Sequence, residues 1–249
     1  MRPEHYSRPT VVERASYNDF AIQESFIVPL LRDRISALIS EHSSAVPANA
    51  RALDVGCGRQ PFRRSLESLG YAYTGLDAQQ NGEGSVDVVC ALDQPLPDHP
   101  SLENPFDFVL CTEVLEHVAD WGVAFDNLAA LTRSGGKVLV TCPHFYVLHE
   151  EPYDFWRPTM HAVHHYASLK GFRTVRSERA GNAWDVLGTF LANTYPFATS
   201  DELGKRLAAK FVRLARRVLL RLLLAERLQS RVRLDSALYV SNVALLERL

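Results

Sequence analysis

The run Arg51-Ala-Leu-Asp-Val-Gly-Cys-Gly58 constrains the fold more than any other stretch of this chain. An apolar strand candidate there runs into a turn carrying an acid and two glycines one residue apart. Gly56 and Gly58 lack a Cβ, which lets the backbone bend tightly and approach a ligand closely. Such a turn belongs at the carboxyl end of a parallel strand, where open α/β sheets bind their ligands.

The pattern around it alternates. Strand candidates are 51–57, 71–77, 86–91, 106–111 and 137–142, with helix candidates around 61–69 and 120–132 between some of them. Gly135-Gly136 punctuates the last helix-to-strand turn. Strands this apolar, separated by helices or long loops, imply a parallel sheet covered on both faces. Residues 19–41 space their apolar side chains as a leading helix, with Pro29 as a kink or boundary. Beyond the alternation, 159–170 reads as a helix, 172–180 as a strand and 237–247 as a final strand. The 249 residues therefore suit one α/β domain: a core of 46–182 and 234–249, a helical cap over 11–45 and a helical insertion over 183–233.

The order of the strand-end motifs is more specific than any one of them. Tyr73-Thr-Gly-Leu-Asp77 closes the second strand, about 20 residues past the glycine turn, where a carboxylate can accept both ribose hydroxyls. Phe-Asp-Phe-Val-Leu-Cys-Thr-Glu-Val-Leu-Glu-His-Val (106–118) and Leu-Thr-Arg-Ser-Gly-Gly-Lys-Val-Leu-Val-Thr-Cys-Pro (131–143) follow. In this order, across about residues 50–180, the blocks resemble the class I S-adenosylmethionine-dependent methyltransferases. The resemblance implies a Rossmann-like, seven-stranded, mostly parallel sheet with helices on both faces and an antiparallel last strand. It implies S-adenosyl-L-methionine as cofactor, with Asp54, Gly56 and Gly58 at its methionine end and Asp77 on its ribose. In the family an acid after the third strand meets the adenine amine. Here that segment reads Ala91-Leu92-Asp93-Gln94-Pro95-Leu96-Pro97, which makes Asp93 the candidate. Gln60 stands where many members have a third glycine. A nicotinamide-binding reading needs Gly-x-Gly-x-x-Gly, and its last position is Pro61.

Methyl transfer from a sulfonium is an in-line displacement, so alignment can contribute ~7–11 kcal/mol. A hydroxyl acceptor must also lose its proton, a task suited to histidine. Two histidines are candidates. His117 ends Glu113-Val-Leu-Glu116-His117, and is either a catalytic group or a residue that merely starts a helix beside the pocket. A similar Glu-x-x-Glu-His holds a divalent metal in some quinone-pathway and RNA-terminal methyltransferases. The fourth ligand is not identifiable in this sequence, so no metal is assigned and a divalent ion stays the lesser option. His149 opens His149-Glu-Glu-Pro152-Tyr153-Asp154-Phe-Trp156-Arg157-Pro-Thr159, which is similar to a stretch in methyltransferases of bacterial glycan and polysaccharide gene neighbourhoods. It sets a base, an acid and a guanidinium among aromatics. Asp154 and Arg157 either bind acceptor hydroxyls or an anion, or pair to lock the loop onto the next helix with Thr159 as its cap. His161, His164 and His165 share a helix with no cysteine nearby, the pattern of a solvated or packed face rather than of a zinc site.

A net charge of −2 gives no overall nucleic-acid signal, but the charge is uneven. Residues 204–233 hold ten Lys or Arg against one acid, Glu226. The stretch 205–225 reads as an amphipathic helix, either lying in a membrane interface or packed on its own sheet or on a second subunit. Only Phe211 supplies an aromatic between 204 and 233, which disfavours single-stranded nucleic acid. Four isolated cysteines and an N-terminus without an apolar core point to the cytoplasm, with any lipid contact at the inner membrane face.

The expected activity is methylation of an oxygen, in preference to nitrogen, of a small molecule or glycan, lipid-linked if the basic helix meets a membrane. The alternative is a non-catalytic methyltransferase-like module that binds a membrane or a partner. Oligomeric state is not legible.

Overall fold

A computed structural model describes residues 16–42, 46–225, 231–232, 234 and 237–249. Residues 11–15 and 43–45 of the expected cap, and 226–230 and 233 of the expected insertion, lie outside that description.

The strands are β1 (Arg51–Val55), β2 (Ala72–Asp77), β3 (Val88–Val89), β4 (Phe106–Thr112), β5 (Thr132–Pro143), β6 (Phe172–Ala180) and β7 (Ser241–Arg248). They form one sheet in the order β3-β2-β1-β4-β5-β7-β6. β1 pairs parallel with β2 and β4, and β7 runs antiparallel to both β5 and β6, as the family resemblance implies. Chain order reverses between β1 and β4, so their carboxyl ends open a crevice.

Burial on both faces explains why the central strands carry so little polarity. Phe106, Phe108, Val109, Leu110 and Cys111 of β4 are each at most 1% exposed. On one face lie α3 (Trp121–Leu131) and α4 (Met160–Leu169), contributing Phe125, Leu128 and Val163. On the other lie α1 (Val28–His42), α2 (Arg63–Ser68) and α5 (Ala183–Ala192), contributing Ile35, Leu66 and Val186. Burying an aliphatic side chain of this size contributes ~1.5–3 kcal/mol, so the two layers hold the sheet rigid beneath the crevice.

Three local expectations change. The leading helix starts at Val28 rather than near residue 19, after a short turn at Ile22–Glu24. Pro29 therefore marks a boundary, where its missing N–H leaves no helical bond unmade. β3 has two residues instead of the six of 86–91. β5 begins immediately after α3, which puts Gly135 and Gly136 inside the strand, at a register shift against β4. A Cβ on Gly136 would press on the carbonyl oxygens of Arg133 and Phe106, so this position needs glycine for closeness, not for a turn.

The insertion is a helical pair, α5 and α6 (Leu203–Leu223), packed on each other through Ala192, Leu220 and Leu223. Asn182 caps α5 by accepting from the Trp184 amide. Among the described residues no helix is long and apolar enough to cross a membrane.

Candidate active site

A cavity of about 790 Å³ opens at the carboxyl ends of β1, β2 and β4. Every cofactor-site residue expected from the sequence lines it: Asp54, Gly56, Gly58, Asp77 and Asp93. His117 and His149 line it too, whereas Asp154 and Arg157 do not.

The turn after β1 is held by the neighbouring strand. The Gly56 and Cys57 amides donate to the Leu76 carbonyl at 2.8 and 3.1 Å, and the Gly58 amide donates to Asp77 Oδ2 at 2.9 Å. Gly56 has φ +67°, and a Cβ there would collide with the Val114 side chain. Gln60, at the position of the absent third glycine, still takes a left-handed backbone with φ +58°. Its side-chain amide donates to the Ser85 carbonyl at 2.6 Å, so the loop keeps its shape without glycine.

Asp54 is 2% exposed and accepts from the Tyr73 hydroxyl at 2.9 Å. Burial raises its carboxyl to about 7, the Tyr73 bond opposes this, and the Asp77 charge adds to it. Tyr73 escaped the sequence reading. The register pairs Asp54 with Gly75, which puts the side chain two residues earlier on the same face. Asp93 accepts from the Ala119 and Asp120 amides at 3.2 and 3.4 Å while facing the cavity.

The opposite wall joins two distant segments. Phe155 and Trp156 donate their amides to the Glu116 carbonyl, and the Trp156 indole donates to the Val118 carbonyl at 2.9 Å. His117 Nδ1 meets the Tyr153 carbonyl at 2.9 Å. These bonds fasten the loop of residues 144–157 onto 113–118, and the His117 and His149 rings meet edge to face at 4.7 Å.

Asp154 and Arg157 stand behind this wall. Arg157 makes two bonds to the Asp154 carboxylate, at 2.6 and 2.7 Å, and donates to the carbonyls of Tyr146, Val147 and Trp156. Asp154, its side chain fully buried, also accepts from the His149 amide at 2.8 Å. Burial opposes its charge, but the Arg157 guanidinium and the His149 amide hold the carboxyl below the usual range. The role of contacting an acceptor or an anion is therefore corrected: the pair is consumed in bracing the loop. Thr159 stands at the N-cap position of α4, but its side chain makes no cap hydrogen bond.

His149 Nδ1 lies 3.3 Å from both the Val147 carbonyl and Asp154 Oδ2. Arg157 Nη2, a donor, lies at the same 3.3 Å from that nitrogen, so these neighbours do not select one tautomer of His149; His117, with Nδ1 on the Tyr153 carbonyl alone, favours a proton there and a lone pair on Nε2. Burial, with His117 beside it, lowers His149 to about 4, so the ring is neutral at neutral pH.

Glu116, Glu-x-x-Glu-His's inner acid, is 0% exposed. Neither of its carboxylate oxygens meets an N–H or O–H donor; the Cys142 thiol is beside it. Burial, and then the Glu113 charge, raises its carboxyl well above the usual range. Glu116, His117 and His149 each offer a ligand atom within 4.8 Å of the others. Two imidazoles, that of His117 with its other nitrogen on a carbonyl, beside a carboxylate that meets no N–H or O–H donor, fit a divalent cation. The sequence left a metal as the lesser option because the ligand it lacked, His149, sits 32 positions away on another loop. His161, His164 and His165 form no such group among the described residues.

Residues 30–181 match the family described as "Methyltransferase domain". The ubiquinone biosynthesis O-methyltransferase of Xylella fastidiosa (strain 9a5c) is 34% identical over 112 residues, covering 40% of this chain and 44% of that protein. The chain thus spans under half the length of that relative. The protein of the same name from Bartonella tribocorum is 25% identical over 232 residues, covering 87% of each. Among solved structures, a putative sarcosine dimethylglycine methyltransferase from Galdieria sulphuraria aligns with a TM-score of 0.53 at 14% identity, covering 88% of this chain and 85% of that one. The [4+2]-cyclase SpnF aligns with a TM-score of 0.52 at 15% identity, covering 90% and 93%. These two establish the sheet and its helices, not a reaction.

Proposed function

We propose, from the premise that this chain belongs to the methyltransferase-domain family, that it moves a methyl group from S-adenosyl-L-methionine to an oxygen of a small, ring-bearing acceptor. One observation carries this reading: Asp54, Gly56, Gly58 and Asp77 share a single cavity with His117 and His149. The bound cofactor supplies an electrophilic methyl on a sulfonium. The protein's own task is alignment, together with a destination for the acceptor's proton.

Asp54 and the Gly56–Gly58 turn hold the cationic methionine end. Asp77 takes the ribose hydroxyls, since each oxygen keeps a lone pair beyond its bond to Gly58 or Gln79. Asp93, which also lines the cavity, faces the adenine. Tyr146, Tyr153 and Phe155 line the cavity beside the histidines and give flat surfaces for a ring. Nε2 of His117, or the cavity-facing nitrogen of His149 in the tautomer that leaves it unprotonated, accepts the hydroxyl proton, with Asp154 and Arg157 fixing the loop that presents His149. A divalent cation held by Glu116, His117 and His149 would occupy those imidazole lone pairs, and its positive charge beside the acceptor oxygen would then take the place of the histidine base.

The relatives named "Ubiquinone biosynthesis O-methyltransferase" support oxygen as the atom, and the flat surfaces of Tyr146, Tyr153 and Phe155 suit an aromatic hydroxyl as the acceptor class. A glycan, lipid-linked or free, is the second reading, supported by the same aromatic surfaces, which suit a sugar ring equally.

Labelled S-adenosylmethionine incubated with a panel of catechols and glycosides tests this. Label on an acceptor oxygen, reduced at least about tenfold with Asp77→Ala at sub-saturating cofactor, is the expected result. Cofactor binding without transfer to any acceptor would favour the non-catalytic module instead.

A further inference from the structure

We propose that α6 docks this protein on an anionic lipid surface, with its apolar stripe at the acyl boundary and its cations among the headgroups. The proposal is independent of the methyl-transfer reading.

α6 is apolar on the wrong side for a helix that only packs inward. Ala209, Leu220 and Leu223 are its buried residues. At about 100° per residue these share one face, and Leu203, Leu207, Phe211, Leu214, Val218 and Leu222 fall in an arc of about 100° opposite it. Those six side chains are between 48% and 73% exposed. A soluble surface helix puts charge there. This one offers water a continuous apolar ridge.

The charge decides what covers the ridge. From Leu203 to Ala225 there are seven Lys or Arg and no acid. Two arginines are spent internally: Arg213 donates to the Pro196 carbonyl, and Arg216 to the carbonyls of Leu191 and Ala192. Arg206, Lys210, Arg217 and Arg221 instead run along one flank of the ridge, exposed and without an ion pair among the described residues. A second copy laid on the same ridge would bring two such flanks together with no acid on either helix to offset them. An anionic membrane answers both features: apolar side chains enter the boundary by ~5–10 Å while cations meet phosphates. α6 is not long and apolar enough to cross, so it lies along the surface.

Docking there places the cavity close to the lipid. Phe26 packs beneath the helix pair with Leu220 and Leu223, while Glu24, Ile27 and Val28 of the same segment line the cavity. One short segment, Glu24–Val28, thus touches both the lipid-facing helix pair and the cavity wall.

Vesicle flotation of the full chain tests this. Wild type should float with vesicles of phosphatidylglycerol and phosphatidylcholine in equal parts. Binding should fall at least about tenfold on phosphatidylcholine alone or in ~0.5 M salt. The triple variant Phe211→Ser, Leu214→Ser, Val218→Ser should lose at least about tenfold while keeping its melting temperature and its S-adenosylhomocysteine affinity. If it does not fold, Lys210→Glu with Arg217→Glu carries the test, with the same expected loss. Wild type that ignores the anionic vesicles, or a folded variant that floats as wild type does, overturns the proposal. So does a wild-type dimer that the triple variant converts to monomer, because the ridge would then belong to a second copy.

Discussion

The Gly58 amide donates to Asp77 Oδ2 across 2.9 Å, tying the turn after β1 to the acid that ends β2. Two features 19 residues apart in sequence thus become one wall of the cavity, on adjacent parallel strands whose register sets Val55 beside Leu76. Asp77→Ala should weaken S-adenosylhomocysteine binding roughly 10–100-fold, the scale of a hydrogen bond to a charged group. Asp77→Asn should lie between. Calorimetric titration of the three proteins gives the ranking.

The two glycines should not be equivalent. Gly56→Ala meets both a left-handed backbone and the Val114 side chain, while at Gly58 a Cβ meets nothing within 4 Å. Left-handed strain alone costs roughly 1–2 kcal/mol, so Gly58→Ala should lose about that in urea unfolding and Gly56→Ala clearly more. Adding Val114→Ala should restore part of the Gly56→Ala loss. Equal losses for the two glycines would contradict the packing at Val114.

Asp54 should make stability depend on pH. Its carboxyl rises from 3.8 to about 7 on folding, so the folded chain holds the proton more tightly than the unfolded one. The penalty for ionising it therefore grows as pH climbs between those values and levels off above about 7. Asp54→Asn should flatten that slope and gain on wild type, by on the order of a few kcal/mol at pH 8, while binding the cofactor less well. Urea unfolding at pH 5 and pH 8 measures the difference. A wild-type slope unchanged by the substitution would remove Asp54 as its source.

The Asp154–Arg157 brace should separate turnover from cofactor affinity. Arg157→Ala strands a fully buried carboxylate, a change that costs ~3–5 kcal/mol when the burial is complete and less here because Arg157 is 21% exposed. With the 144–157 loop loosened, kcat should fall at least ~tenfold while S-adenosylhomocysteine affinity holds. Arg157→Lys should recover only part, since ammonium cannot span two carboxylate oxygens and three carbonyls as the guanidinium does. Loss of affinity equal to the loss of kcat would mean that the loop shapes the cofactor end as well.

Magnesium or manganese should raise the melting temperature of wild type and leave Glu116→Gln unmoved, because the amide removes the anionic donor from the Glu116, His117, His149 group. A chelator should lower the wild-type value to that of metal-free protein. Thermal scans with and without each ion read this without any acceptor. Equal ion shifts in both proteins would place the ion elsewhere.

Much of this site was readable in the sequence because its cofactor half is local. Asp54, Gly56, Gly58 and Asp77 end strands, and strand ends converge wherever a sheet is parallel. The acceptor half is tertiary. Glu116 and His149 come from loops that meet only because Tyr153, Phe155 and Trp156 bond to 116–118, and no periodicity announces such bonds. Asp154 and Arg157 looked available for the same reason: the carbonyls that consume Arg157 belong to residues with no side-chain signal. For α6, spacing gave the amphipathic pattern, but only the packing of Ala209 and Leu220 shows which face is turned outward.

The central claim is that the glycine–carboxylate crevice binds an S-adenosyl nucleoside. Calorimetric titration of S-adenosylhomocysteine into wild type and Asp77→Ala tests it most directly. One site of micromolar affinity in wild type, weakened at least tenfold in the variant, is the result the account predicts. A folded wild type that gives no heat at high micromolar ligand, or a variant that binds just as tightly, would contradict it.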